Sequence, residues 1–247
     1  MLVIFDNDGT ICDTQEVEGR CYALAIQRVT GLSLSTVDWS TYDEPTSSAI
    51  VRRLLAGDAA ATEKEERIKY EFCRLLRLER PLFPADFSPI TGAIKFIERL
   101  RVAGVRIAIA TGGFDSEARF KLECCGIDID AFPHATSSDT SRRGNIIELA
   151  ASRAGCDLSS AVYFGDAPWD VLACGKLGIP MIGIGRRHEQ PRSLGVENTF
   201  RDYSEPEKIV DVLTGTGTLF SGPLCVLQSL PPDPRARASV TVWRAIK

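Results

Sequence analysis

Apolar runs of strand character recur along the chain, each closed by a polar or glycine-rich turn: LVIFD (2–6), VRIAIATGG (105–113), AVYFGD (161–166) and IPMIGIG (179–185). They are continuous rather than alternating, the pattern of strands buried on both faces. Between them the period becomes that of helices. In SPITGAIKFIERLRVAG (88–104), Ile90, Ala93, Ile94, Ile97 and Leu100 share one face. Ser88 is placed there as N-cap, Pro89 at the first helical position and Gly104 as C-cap. GNIIELAASRAG (144–155) follows the same design and ends at Gly155. Strand and helix in alternation predict an α/β fold, a doubly wound parallel sheet between two helical layers.

Residues 14–87 break the alternation. They hold no strong strand but three helical stretches, at 15–30, 46–56 and 62–79, and Pro81, Pro84 and Pro89 mark the return to the sheet. The expected division is therefore a core of 1–13 and 88–214, with 14–87 as a helical insertion after the first strand. From 215 to 247 the chain is turn-rich, apart from the strand-like SVTVW (239–243), and is expected to be an appended ribbon or edge extension of unknown role. Gly215-x-Gly217 lacks the strand-then-helix context of a nucleotide loop.

Composition narrows the function without naming it. Hydrophobic residues make up 44% and charged residues 25%, enough for a sizeable core, and a net charge of −4 offers no basic field to nucleic acid or an anionic membrane. No apolar stretch approaches the roughly 20 residues of a membrane span, and the start lacks a signal-peptide layout, so a cytoplasmic location is expected. The eight cysteines show no C-x-x-C spacing and read as small buried hydrophobes, with adjacent Cys124 and Cys125 a weak redox candidate. Only two histidines occur, His134 and His188, neither in a motif with a nucleophile and both expected at the surface or in loops. Catalysis is to be sought among the carboxylates.

Ligands gather beyond the carboxyl ends of the strands in such sheets. The first strand ends in Asp6 and Asp8, a middle one in Thr111-Gly112-Gly113, and a later one in Asp166 with Asp170 one helical turn on. Like charges converging on one rim need a cation between them. Oxygen ligands without His or Cys suit Mg²⁺.

FDNDGT, IAIATGG, Arg142-Arg143 and FGDAPWD, in that order, resemble the four motifs of the haloacid dehalogenase (HAD) superfamily. The likeness is greatest to its phosphoglycolate-phosphatase-like and β-phosphoglucomutase-like capped members, and it covers residues 1 to about 213. It implies a HAD-like, Rossmann-like core, with 14–87 standing where that family carries its cap. It further implies Asp6 as nucleophile and metal ligand, and Asp8 as general acid and base, with its backbone carbonyl on the metal. Gly9, Thr10, Thr111 and Gly112 would bind phosphate, Asp166 the metal, and Asp170 would orient the metal's waters from behind. An acid at position 8 points away from dehalogenation. The family's usual third-motif Lys is missing, since no Lys lies between Lys121 and Lys176. Arg143 is the expected substitute, with Arg142 the alternative. Asp13-Thr14 stands at the hinge into the insertion, where Thr14 could equally be a plain N-cap. Trp39, Tyr42, Asp43 and Glu44 could face substrate, though packing or surface roles are favoured for each.

The expected activity is a Mg²⁺-dependent phosphatase acting on a small phosphorylated metabolite through an aspartyl-phosphate, as a monomer or homodimer. The alternative is a phosphomutase, in which a second sugar hydroxyl replaces water. A non-catalytic phosphoacceptor or signalling module is disfavoured by the acid at position 8 and the large insertion.

Overall fold

The computed structural model describes residues 1–215. Six parallel strands form one sheet in the order β3-β2-β1-β4-β5-β6. They are β1 (Leu2–Phe5), β2 (Arg106–Ala110), β3 (His134–Ala135), β4 (Ala161–Gly165), β5 (Met181–Ile184) and β6 (Thr199–Phe200). All four residues of β1 are buried, as a central strand covered on both faces requires. Successive strands run outward from β1 in one direction and from β4 in the other. The order therefore reverses between β1 and β4, where ligand crevices form in such sheets. The register aligns Phe5 with Ile109 and with Phe164, which brings the residues after β1, β2 and β4 to one level.

Alternate side chains feed two cores. Val3, Phe5, Ile107, Ile109, Val162 and Phe164 pack on one face with α4 (Ala93–Val102), α9 (Pro206–Gly215) and the inner side of α5 (Asp115–Cys124). Leu2, Ile4, Ala108, Ala110, Ala161 and Tyr163 pack on the other with α6 (Arg143–Arg153) and α7 (Pro168–Leu177). The short α8 (Glu189–Ser193) follows β5.

A third apolar cluster lies outside the sheet. It joins α1 (Gln15–Thr30), α2 (Ser47–Leu54) and α3 (Ala61–Glu79) through Tyr22, Ile26, Val51, Ile68 and Phe72, and it takes in Phe87, Phe114 at the N-cap of α5 and Phe120 within that helix. The helical insertion thus rests on the helix that follows β2. Both α1 and α3 start and stop within one residue of the pattern in the sequence.

One expected element is shorter than its periodicity. Helix α4 begins at Ala93, not at Pro89, and Gly92 at φ 81° occupies the position before it. Residues 88–90 are instead tied to the turn after β1: Asp13 N–H donates to Ser88 O at 2.8 Å and Ile90 N–H to Ile11 O at 2.8 Å. Tyr203 N–H holds Thr91 O at 2.9 Å. These long-range bonds outweigh the local helix-start signal, and Ser88 and Pro89 do not begin α4. His134, expected at the surface or in a loop, opens β3 and is half-buried. The expected strand at 239–243 lies outside the described residues.

Candidate active site

The turn after β1 is wound on one carbonyl. Asn7 O accepts from the N–H groups of Thr10, Ile11 and Cys12 at 3.2, 2.8 and 3.0 Å. Gly9 sits at φ 78°, and a Cβ there would lie 2.0 Å from Gln15 Nε2 and 2.5 Å from Asp166 Oδ2, so no larger residue fits. This tight loop leaves Asp6 at the strand end, buried, with its N–H on Phe164 O at 2.9 Å.

Arg143, in the first turn of α6, reaches into the same space. Its Nη2 lies 3.0 Å from Asp6 Oδ2 and its Nε donates to Asp170 Oδ1 at 2.9 Å. Arg142 is exposed at the position before the helix, and one residue of helical rotation separates the two. Asp170, in the first turn of α7, has both oxygens engaged. Tyr163 and Arg143 donate to Oδ1, and Ala167 N–H to Oδ2 at 3.2 Å. Asp166 has no ion-pair partner among the described residues, and its Oδ2 accepts from the Gln15 amide.

The electrostatics follow from this arrangement. Burial pushes the Asp6 carboxyl well above its usual range, Arg143 opposes the shift, and Asp170, Asp166 and Asp8 add to it. Asp166 is raised to about 7 by burial and then by Asp170, with the Gln15 bond pulling the other way. Asp6, Asp166 and Asp170 can place one oxygen each within 4.8 Å of one another. Asp6 Oδ1 is buried without a hydrogen-bond partner among the described residues. A set of hard oxygen donors, one of them unpartnered and two held by burial against ionising, fits a divalent cation of the Mg²⁺ type.

Beyond β2, Thr111 is buried and its Oγ1 accepts from Gly113 N–H at 3.2 Å. A Cβ on Gly112 would stand 2.6 Å from Arg143 Nη1, so glycine is what lets the arginine pass. The insertion closes over this loop. Ser47 N–H donates to Gly112 O at 2.8 Å, Thr46 Oγ1 to Ser141 O at 2.6 Å, and Arg143 N–H to Glu44 Oε1 at 2.7 Å. Between them lies a cavity of about 60 Å³ whose walls include Asp6, Asp8, Thr111, Arg143, Asp166, Glu18, Trp39, Trp169 and Arg187.

The Asp8 carboxylate belongs to a second cluster. It lies 2.6 Å from Lys121 Nζ and accepts from Thr14 Oγ1. Lys121, on α5, is fully buried and also pairs with Glu18 at 3.2 Å and with Glu117. Burial works against its charge, but Asp8, Glu117 and Glu18 together hold its pKa well above the ordinary lysine value. Glu18 is raised to about 7 by burial and by Asp8, against the pull of Lys121.

Residues 1–178 match the model of the haloacid dehalogenase-like hydrolases. The chain belongs to that family. A phosphoglycolate phosphatase of Agrobacterium fabrum is 27% identical over 191 residues, covering 74% of this chain and 79% of that protein. Among solved structures, a hydrolase from Pseudomonas syringae aligns with a TM-score of 0.64 at 21% identity, over 86% of this chain and 99% of the other. CbbY from Rhodobacter sphaeroides, in complex with phosphate, aligns with a TM-score of 0.64 at 18% identity, over 83% of this chain and 95% of the other. At such identities the structural likeness speaks for the fold.

In this hydrolase the sequence motifs meet where the sheet order reverses. Asp6, Asp8, Thr111, Gly112, Arg143 and Asp166 all line the cavity, and Asp170 stands behind Arg143. Gly9 and Thr10 do not line it. Gly9 serves the close approach of the turn to Asp166, and Thr10 is buried with its carbonyl on Tyr203 Oη at 3.2 Å. Thr14 occupies the N-cap position of α1 but makes no side-chain capping bond, and its hydroxyl donates to Asp8 instead. Of the insertion residues singled out in the sequence, Trp39 lines the cavity and Glu44 braces Arg143, while Tyr42 bonds Thr36 O and Asp43 pairs with Arg53 at the surface. Lys121, Glu117 and Glu18 escaped the sequence reading. A signal was present: Phe114, Glu117, Ala118, Lys121, Leu122 and Cys125 fall at helical spacing on one face, and two charges on such a face must be paired inside.

Proposed function

We propose that this hydrolase is a Mg²⁺-dependent phosphomonoesterase acting on a small phosphorylated metabolite through an aspartyl-phosphate on Asp6. The observation that carries the reading is the state of the Asp6 carboxylate. One oxygen is held by Arg143, the other is buried without a hydrogen-bond partner among the described residues, and Asp6 is one of the residues that line the cavity. Such a carboxylate is positioned to attack rather than to support structure.

The residues divide the work as follows. Asp6 forms the bond to phosphorus as the ester oxygen departs. Asp8 gives that oxygen a proton and then takes one from the water that hydrolyses the acyl phosphate. Arg143 holds Asp6 and offers its remaining N–H groups to phosphoryl oxygens, as a planar fork can. Thr111 and the backbone of Gly112 stand ready for the same oxygens. Asp6 and Asp166 would hold the cation, with the Asp8 carbonyl beside them, and Asp170 would orient Arg143. The cation supplies charge neutralisation between nucleophile and phosphate. A cavity with room for a few waters suits a phosphoryl group and a short leaving group. The A. fabrum relative bears the name of an enzyme for one such ester, and the insertion is read as the cap that excludes water.

The test is phosphate release from p-nitrophenyl phosphate, 2-phosphoglycolate, glycerol 1-phosphate, glucose 1-phosphate and AMP, each with Mg²⁺ and with chelator. Metal-dependent release from at least one small ester is expected, and Asp6→Asn should lower turnover by about 10⁴-fold or more while the fold survives. Full activity of Asp6→Asn, or conversion of glucose 1-phosphate to an isomer without free phosphate, would overturn the reading.

A further inference from the structure

We propose that Lys121 is the positioning residue of Asp8: its buried ammonium fixes the orientation of the carboxylate that exchanges a proton with the leaving group. The proposal rests on the phosphomonoesterase reading above.

A fully buried lysine is rare, and its ammonium has three N–H donors to satisfy. Here Asp8 at 2.6 Å and Glu18 at 3.2 Å accept hydrogen bonds from it, and Glu117, one turn back on the same helix, forms an ion pair with it. Pairing with Glu117 alone would complete an ordinary i,i+4 couple within α5. Instead the side chain runs to the turn after β1, 113 residues away in sequence, and ends on Asp8. The terminal torsion of an aspartate is broad, so its oxygens are not placed by the backbone. Here they are placed from outside, by Lys121 and by the Thr14 hydroxyl on Oδ1. Glu117 and Glu18 in turn restrain Lys121, so the ammonium cannot follow Asp8 if that side chain rotates. Glu18 and Asp8 both reach the cavity wall, whereas Lys121 and Glu117 have no exposed surface. Lys121 thus acts through Asp8 and not on substrate.

No proton leaves Lys121 in this scheme. Asp8 loses one to the ester oxygen as the Asp6–phosphorus bond forms and the ester bond breaks. It recovers one from the attacking water as the Asp6–phosphorus bond breaks. The ammonium only donates hydrogen bonds throughout. A misplacement of about 1 Å at such a group can cost about 10²-fold.

The experiment compares two esters in rapid-quench kinetics: p-nitrophenyl phosphate, whose leaving group departs without a proton, and the alkyl ester of the panel that the wild type cleaves fastest. In Lys121→Met, alcohol release from the alkyl ester should slow by about 10²-fold. The first burst of p-nitrophenolate should persist within about threefold, followed by slow turnover, because the first step needs no acid but the second needs a base. Asp8→Asn should show the same signature, and adding Lys121→Met to it should cost nothing further. Equal slowing of both esters in the first step, or losses that multiply in the double variant, would overturn the proposal. Lys121→Met leaves three carboxylates without their cation. If it does not fold, Lys121→Met with Glu117→Gln, which removes one negative charge together with the positive one, carries the same readouts. A wild-type chain that cleaves no ester and gives no burst would remove the reaction itself, and the proposal with it.

Discussion

Two clusters at the sheet rim share a plan: three carboxylates gathered around one basic side chain. In the first, Arg143 touches Asp6 and Asp170 but not Asp166. In the second, Lys121 touches Asp8, Glu18 and Glu117 together. The difference is one of reach. A guanidinium is a planar fork that binds in its own plane, and Arg143 spends that plane on two acids. An ammonium is a compact charge with three divergent donors, and Lys121 hydrogen-bonds Asp8 and Glu18 while pairing by charge with Glu117. Among the described residues the first cluster is left with Asp166, an acid that no basic side chain pairs, which is the condition for taking up a metal. In the second, the lysine fills the place a metal would take. Similar counts of charge therefore serve different ends, one exchanging ligands and the other holding a side chain still.

The sharpest way to break this comparison is to remove Arg143. Arg143→Met leaves Asp6 and Asp170 buried without their cation. The stability cost should be about 3–5 kcal/mol by urea unfolding, and turnover should fall by at least about 10²-fold. Arg142→Met, one residue earlier and in solvent, should change stability by no more than about 0.5 kcal/mol and leave turnover near wild type. If the two variants behaved alike, the assignment of position 143 to the site would be lost.

A smaller effect sharpens the contrast between the clusters. Mg²⁺ at about one hundred times its dissociation constant should stabilise the wild type by about 2.7 kcal/mol, read as a rise in melting temperature. Asp166→Asn should abolish that rise. Glu117→Gln should keep it, because the Lys121 cluster already has its cation. A metal-induced shift that survives the first substitution and disappears with the second would reverse the roles assigned to the two clusters.

The unevenness of what could be read in advance has a physical basis. Strands β1, β2, β4 and β5 and helices α1, α3 and α6 announce themselves because their signals are local: apolar runs, period and capping glycines. The start of α4 misleads because Ser88 and Pro89 carry a valid local signal that three hydrogen bonds from distant segments override. Asp6, Asp166 and Thr111 were legible as strand-end residues in known motif order. The choice between Arg142 and Arg143 turned on one residue of helical rotation, which the sequence leaves open. Lys121 was hidden for a different reason. Its partners are one helix turn, 103 residues and 113 residues away, and no local pattern encodes the last two.

The smallest expected effect lies away from the rim and separates buried from solvated pairing. In the insertion, Glu71 of α3 accepts from Arg74 on its own helix at 2.7 Å and from Arg28 of α1 at 2.9 Å. Arg28 and Arg74 are well exposed, unlike Arg143 and Lys121. The Arg74 hydrogen bond, with Arg28 assisting and burial opposing, lowers the Glu71 carboxyl to about 2. A carboxyl whose folded pKa is depressed contributes stability above its unfolded value, which is then lost as pH falls towards the folded one. The contribution should accordingly be full above about pH 4.5 and fade between there and about 2. Water and salt screen such pairs, so its size should be about 1 kcal/mol or less and should shrink in high salt. Urea midpoints of wild type and Glu71→Gln should differ at pH 6 in low salt and converge near pH 2.5. A gap that stayed constant across that range would mean that the glutamate stabilises the helix pair by packing rather than by charge.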